Sequence, residues 1–83
     1  MNIDIKDTIK LSDNNEYLVI SKTVYEEDLY FYLIDINNNE ESKILKLNKD
    51  NNKLANVTDE TLIQKLILLF SKEASKYVED ESN

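Results

Sequence analysis

The sequence has no cysteine, histidine, glycine, proline, tryptophan or arginine. Without cysteine there is no disulfide and no thiolate metal site, and without histidine the usual zinc, copper and haem sites are excluded too. Cysteine and histidine nucleophiles are absent, as is the histidine base of a Ser-His-Asp triad. Without glycine there is neither a P-loop nor a dinucleotide fingerprint, because both need a residue without Cβ where backbone approaches phosphate. Without arginine the best bidentate phosphate clamp is missing. The longest run of wholly apolar side chains, Leu66 to Phe70, is far short of the ~20 residues of a membrane span. Asp4 and Asp7 stand where a signal peptide would carry a basic region, so a cytoplasmic protein is expected.

What is present is charge of mainly one sign. Ten basic residues, all lysine, face 17 acidic ones, for a net charge of −7 over 83 residues. The length fits one small domain with a thin core. The acidity opposes direct binding of nucleic acid, which is driven by cationic side chains, and suits a basic partner. Asn, Lys, Ile and Leu predominate, a leaning typical of AT-rich coding sequence.

Hydrophobic residues make up 41%, enough for a folded core. Ile3, Ile5, Ile9 and Leu11 alternate with polar residues as in a strand. Glu16 to Tyr25, Leu29 to Ile36, Lys43 to Leu47 and a short Leu54 to Val57 read as further strands, rich in β-branched and aromatic residues. The Asn pairs at 14–15, 38–39 and 51–52 mark turns, since Asn is the best substitute for Gly at positive φ. Thr58 to Val78 reads as a helix. Thr58 is the expected N-cap, Asp59 and Glu60 favour the first turn, and Val57 with Leu62 forms a hydrophobic staple. Leu62, Ile63, Leu66, Ile67, Leu69, Phe70, Ala74, Tyr77 and Val78 share one face, and Leu68 falls opposite.

The expected fold is α+β: an antiparallel meander of four strands, with a fifth as an option, followed by one C-terminal helix packed on one sheet face. Residues 1–78 form the domain and 79–83 a frayed acidic tail. The helix is expected to cover Ile9, Leu11, Leu18, Ile20, Val24, Leu29, Phe31, Leu33, Leu45 and Leu47. The other face then displays Tyr17, Val19, Tyr25, Tyr30, Tyr32, Ile34 and Ile44.

That Tyr-rich face is the first candidate site. Tyr is amphipathic and enriched at protein interfaces, so Tyr17, Val19, Tyr25, Tyr30, Tyr32 and Ile34 are the expected contacts to a protein partner or a second copy. The second candidate is acidic. A meander gathers Asp13, Glu16, Asp35, Glu40 and Glu41 at one end, and carboxylates two residues apart on a strand lie ~6.6 Å apart, near twice the phosphate spacing along a DNA strand. They would mimic nucleic-acid phosphates toward a basic nucleic-acid-binding protein, or simply form a solvated rim. The Asp35 to Glu41 run departs from a calcium loop, with Glu40 where Gly is needed and Lys46 where Glu is needed. No metal or cofactor is expected. A sheet with one helix offers little depth for a cleft that raises a carboxyl pKa, so no enzyme is expected.

The order Asp7-Thr8-Ile9-Lys10-Leu11, Glu16-Tyr17-Leu18-Val19-Ile20, Leu29 to Asp35, and Leu62-Ile63 through Leu69-Phe70 resembles short acidic domain-of-unknown-function proteins of low-GC Gram-positive bacteria and their mobile elements. In size and charge the chain is also similar to small acidic anti-CRISPR and anti-restriction proteins. These resemblances imply a non-enzymatic binding protein. The expected function is protein binding through the Tyr-rich face. The alternatives are a phosphate-mimicking inhibitor and a structural homodimer.

Overall fold

A computed structural model describes the backbone of residues 3–81 and the side chains of residues 3–73. Five strands, β1 (Thr8–Lys10), β2 (Glu16–Tyr25), β3 (Asp28–Asp35), β4 (Asn38–Asn48) and β5 (Lys53–Asn56), precede one helix, α1 (Glu60–Glu81). Every neighbouring pair is antiparallel and the order is β1-β2-β3-β4-β5. The expected α+β meander with one C-terminal helix is the fold.

Several boundaries differ from the sequence reading. Only Thr8–Lys10 of the first alternating segment is strand. Ahead of it the Asp7 carboxylate accepts from the Asp4 N–H at 2.8 Å, and Lys6 sits at φ 77°. The segment is still anchored, because Ile3 is buried in the core. The helix cap is Asp59, not Thr58. Asp59 Oδ1 accepts from the N–H groups of Thr61 at 2.9 Å and Leu62 at 3.3 Å, which fills two of the open donors of the first turn. The helix runs on to Glu81, three residues into the expected tail. Ser82 and Asn83, and the side chains of Ala74, Tyr77 and Val78, lie outside the described residues. No described helix is long and apolar enough to cross a membrane.

Two turns show what the lack of glycine entails. Tyr25 pairs with Asp28 across a two-residue loop. Both loop residues have positive φ, Glu26 at 49° and Glu27 at 73°, as the hairpin twist requires. Of the six Asn expected in turns, Asn14 and Asn52 take positive φ.

The largest departure concerns which face the helix covers. Opposite Leu33 and Tyr32, which are consecutive in β3, β2 places Val19 and Ser21. Ile20 is therefore an extra residue, a β-bulge, and it reverses the side-chain alternation of the strand. Before the bulge Tyr17 and Val19 lie on the Phe31 face; after it Ser21 and Thr23 lie on the Tyr30 face. The sheet curls so that Phe31, Leu33, Leu45, Tyr17, Val19 and Ile3 form a core without the helix, edged by Ile9 of β1, Leu11 just after it and Leu54 of β5. The helix packs on the opposite face, where Leu66 and Phe70 meet Tyr30, with Tyr25, Tyr32, Ile44, Val57, Leu62 and Leu69 around them. Ser21 and Thr23, small and buried, allow α1 its close approach to β2.

Candidate functional site

The expectation of an open Tyr face is corrected by this arrangement. Tyr17 is 2% exposed and Tyr30 4% exposed, so neither presents an anchor to a partner. Val19 is buried in the core on the other face from Tyr30. Tyr25 is half-buried against the helix cluster. Of the six expected contact residues, Tyr32 and Ile34 remain together at an accessible surface, both half-buried.

That surface is a groove along one flank of α1. Helix residues Ile63, Ile67 and Phe70 recur at i, i+4 and i+7 and form its wall. A cavity of 410 Å³ lies between Ile63, Ile67 and the Ile44 region of β4. A second of 310 Å³ lies between Ile67, Phe70 and the Ile20, Ser21 and Ile34 region. Tyr32 and Ile67 line both, so the two adjoin along this flank and together make up the trough. Tyr32 is held by an edge-to-face contact with Phe70, centroids 5.7 Å apart and planes at 80°.

Two features set this trough apart from ordinary surface. Ile20 is 41% and Ile67 46% exposed, large apolar side chains on either side of it. The Ser21 hydroxyl, in a residue only 4% exposed, has no hydrogen-bond partner among the described residues. An unpaired buried hydroxyl costs on the order of 1–3 kcal/mol. Sequence reading missed Ile20 and Ser21 as site residues because the bulge between Val19 and Ser21 leaves no composition signal, and it counted Ile67 on the apolar helix face, whereas Ile67 is 46% exposed.

The five acidic candidates divide. Asp13 is part of the fold: its carboxylate accepts from the Asn15 N–H at 2.9 Å, the Tyr17 hydroxyl at 2.7 Å and the Lys43 ammonium at 3.0 Å. The Asn15 N–H, then Tyr17, then Lys43 hold its pKa down at about 2, and the pKa of Lys43 is raised chiefly by the same bond to Asp13. Lys43 also lies 5.3 Å from the Tyr17 ring centroid. Asp35 is buried, and its Oδ1 accepts from the Asn37 N–H at 2.8 Å, closing the β3–β4 turn. Asp35 is thus corrected from a surface candidate to a buried turn-forming residue, whereas Asp13 stays exposed with its carboxylate taken up by these three bonds. Glu16, Glu40 and Glu41 are exposed and carry no ion pair among the described residues. The structure brings these three to one end of the sheet. The Glu16 carbonyl accepts from the Ile36 N–H at 3.0 Å, and Asp35 pairs with Asn38 while Ile34 pairs with Ser42, so Asn39, Glu40 and Glu41 are a bulged stretch of β4 with no partner residue in β3.

No group of His, Cys, Asp or Glu among the described residues is arranged to hold a metal ion. No protein-family model, no curated protein and no solved structure matches the chain.

Proposed function

We propose that this chain is a small non-catalytic protein-binding module, and that its contact site is the trough on the flank of α1. The observation that carries the reading is the combination, in one groove, of the exposed Ile20 and Ile67, the half-buried Tyr32 and Ile34, and the unpaired Ser21 hydroxyl. Apolar side chains left in water at one concave place favour association with a partner that removes them from water. A partner hydrogen bond to Ser21 would remove a further cost.

Phosphate mimicry by the acidic end is the second reading. The exposed, unpaired Glu16, Glu40 and Glu41 favour it, with Asp13 and Asp35 committed to the fold. A homodimer through the trough is the third, and concentration-dependent light scattering separates it from binding of another protein.

The test is site-specific photo-cross-linking in cells. A photoreactive residue at position 67 should give one dominant protein adduct. The same residue at position 24, where Val24 is exposed on the opposite sheet face, should not. Equal or absent labelling at both positions contradicts the trough as the contact site.

A further inference from the structure

We infer that the segment this trough accepts is an extended strand of a partner protein, which pairs its backbone with Ser42 at the open edge of β4 and turns an apolar side chain in against Ile63 and Ile67. The inference rests on the proposed protein-binding reading and names the form of the partner.

The opening lies where β5 leaves the sheet. β4 has eleven residues, and β5 pairs with only the last four, Leu45 to Asn48. The Val57 N–H still donates to the Ile44 carbonyl at 2.9 Å, and the chain then turns away through Thr58 into α1. Backbone groups along an antiparallel strand point to its two neighbours by turns. Ile44 faces the β5 side, so Lys43 faces β3 and Ser42 faces the β5 side again. The register with β3 is unbroken from Ser42 to Leu47, so no bulge disturbs this alternation. The Ser42 N–H and C=O therefore point past the end of β5, and no described residue pairs with them there. Ser42 is exposed. The bulged stretch Asn39, Glu40 and Glu41 bounds the opening on its far side.

The trough begins at this edge. Its larger cavity is lined by Ser42 and Ile44 of β4, by Val57, and by Ile63 and Ile67 of α1. A partner that covers these apolar side chains also takes water from the Ser42 N–H and C=O. A helix or an apolar small molecule brings no backbone groups to replace that water, and buried unpaired backbone groups are costly. An extended segment brings both a donor and an acceptor, as in strand addition to an open sheet edge. Paired antiparallel, as all five strands of this sheet are, its residue opposite Ser42 turns its side chain to the face of Ser42 and Ile44. That is the face on which α1 packs. Proline, a usual block on an exposed edge, is absent from the chain. A second copy, at net charge −7, is repelled by like charge.

The probe is an eight-residue peptide of alternating Val and Thr. It is compared with the same peptide N-methylated at its backbone amides, which keeps the side chains and removes the donors, and with a helix-forming Leu/Ala/Gln peptide. Amide NMR shifts and hydrogen exchange of the full chain follow binding. The Val/Thr peptide should shift Ser42, Ile44 and Ile67, slow exchange of the Ser42 N–H, and bind about tenfold or more tighter than either control, a ratio worth ~1.4 kcal/mol. Ser42→Pro removes an outward donor at an edge position where proline is accommodated. It should weaken binding about tenfold, whereas Ser42→Ala should bind as the parent does. The N-methylated control carries the same test should Ser42→Pro fail to fold.

Equal binding of the N-methylated or the helical peptide, unchanged Ser42 exchange at saturation, or no binding of the Val/Thr peptide overturns the strand assignment. The adduct at position 67 distinguishes the two levels: where it still forms, the trough stands as the contact site without the strand, and where it does not, the proposed site itself falls. A dimer by sedimentation that Ser42→Pro dissolves makes the occupant a second copy and overturns the inference.

Discussion

Tyr32 and Phe70 meet edge to face, centroids 5.7 Å apart and planes at 80°, and this contact fixes α1 to the sheet face that carries Tyr30 and Tyr32. Edge-to-face pairs contribute roughly 0.5–1.5 kcal/mol beyond the area they bury. The contact also turns Tyr32 into the shared floor of both parts of the trough.

Phe70→Ala removes this contact and a buried ring. The expected loss is ~3–5 kcal/mol of unfolding free energy in urea, a large share for a small domain. A loss below about 1 kcal/mol would contradict the placement of α1, since buried Phe→Ala changes fall well above it.

Leu33→Ala tests the other core. Leu33 is fully buried in the cluster that the curled sheet forms without the helix. The expected loss is ~2–5 kcal/mol. The Tyr32 ring resonances should stay near their parent positions in this variant and move in Phe70→Ala, since Tyr32 packs with Phe70 and not with the Leu33 cluster.

The Glu26-Glu27 loop predicts a gain. Both residues hold positive φ without being glycine, at a cost of roughly 1–2 kcal/mol per residue. Asn-Gly is the preferred pair for this loop. Glu26→Asn with Glu27→Gly should raise stability by ~1–2 kcal/mol by that reasoning, and the Lys49 bond to the residue 27 backbone carbonyl survives the change. A neutral or negative result in urea unfolding contradicts the loop geometry.

Asp13 predicts a defined pH dependence. Its folded pKa of about 2 lies below the ordinary 3.8, so the unfolded chain binds its proton more readily and folding is favoured where the carboxylate is ionised. Its contribution is fully present above pH ~4 and disappears as pH falls toward ~2. Asp13→Asn should therefore lower the melting temperature at neutral pH, and the difference from the parent should vanish in that acid window. A difference that persists unchanged at pH ~2 contradicts the role given to Asp13.

Strand order and the helix were legible because turn residues and apolar spacing are local signals. The loops at Asn14 and Asn52 follow from the φ each turn needs. Face assignment was not legible. Leu18-Val19-Ile20 is apolar throughout, so an extra residue at Ile20 leaves no mark, yet it moves Tyr17 and Val19 to the opposite face from Thr23 and Tyr25. Both faces of β3 are also apolar, Phe31 and Leu33 on one and Tyr30, Tyr32 and Ile34 on the other, so hydrophobicity does not choose the helix side. The signal that does is size: Ser21 and Thr23 leave room for a helix to approach, and no such pair of small residues lies on the Phe31 face. The acidic end was legible as a location. The commitment of Asp13 and Asp35 to turns depends on side-chain bonds that only the folded chain displays.

The most direct measurement compares two equally simple charge insertions, Ile67→Lys in the trough and Val24→Lys on the opposite face. Both positions are exposed, so circular dichroism and melting should be unchanged in both. The protein cross-linked through position 67 is purified and titrated against the parent and each variant. Val24→Lys should bind as the parent does, and Ile67→Lys should lose at least about a hundredfold in affinity, ~2.7 kcal/mol, as expected for an apolar anchor at an interface. Undiminished binding by Ile67→Lys would contradict it.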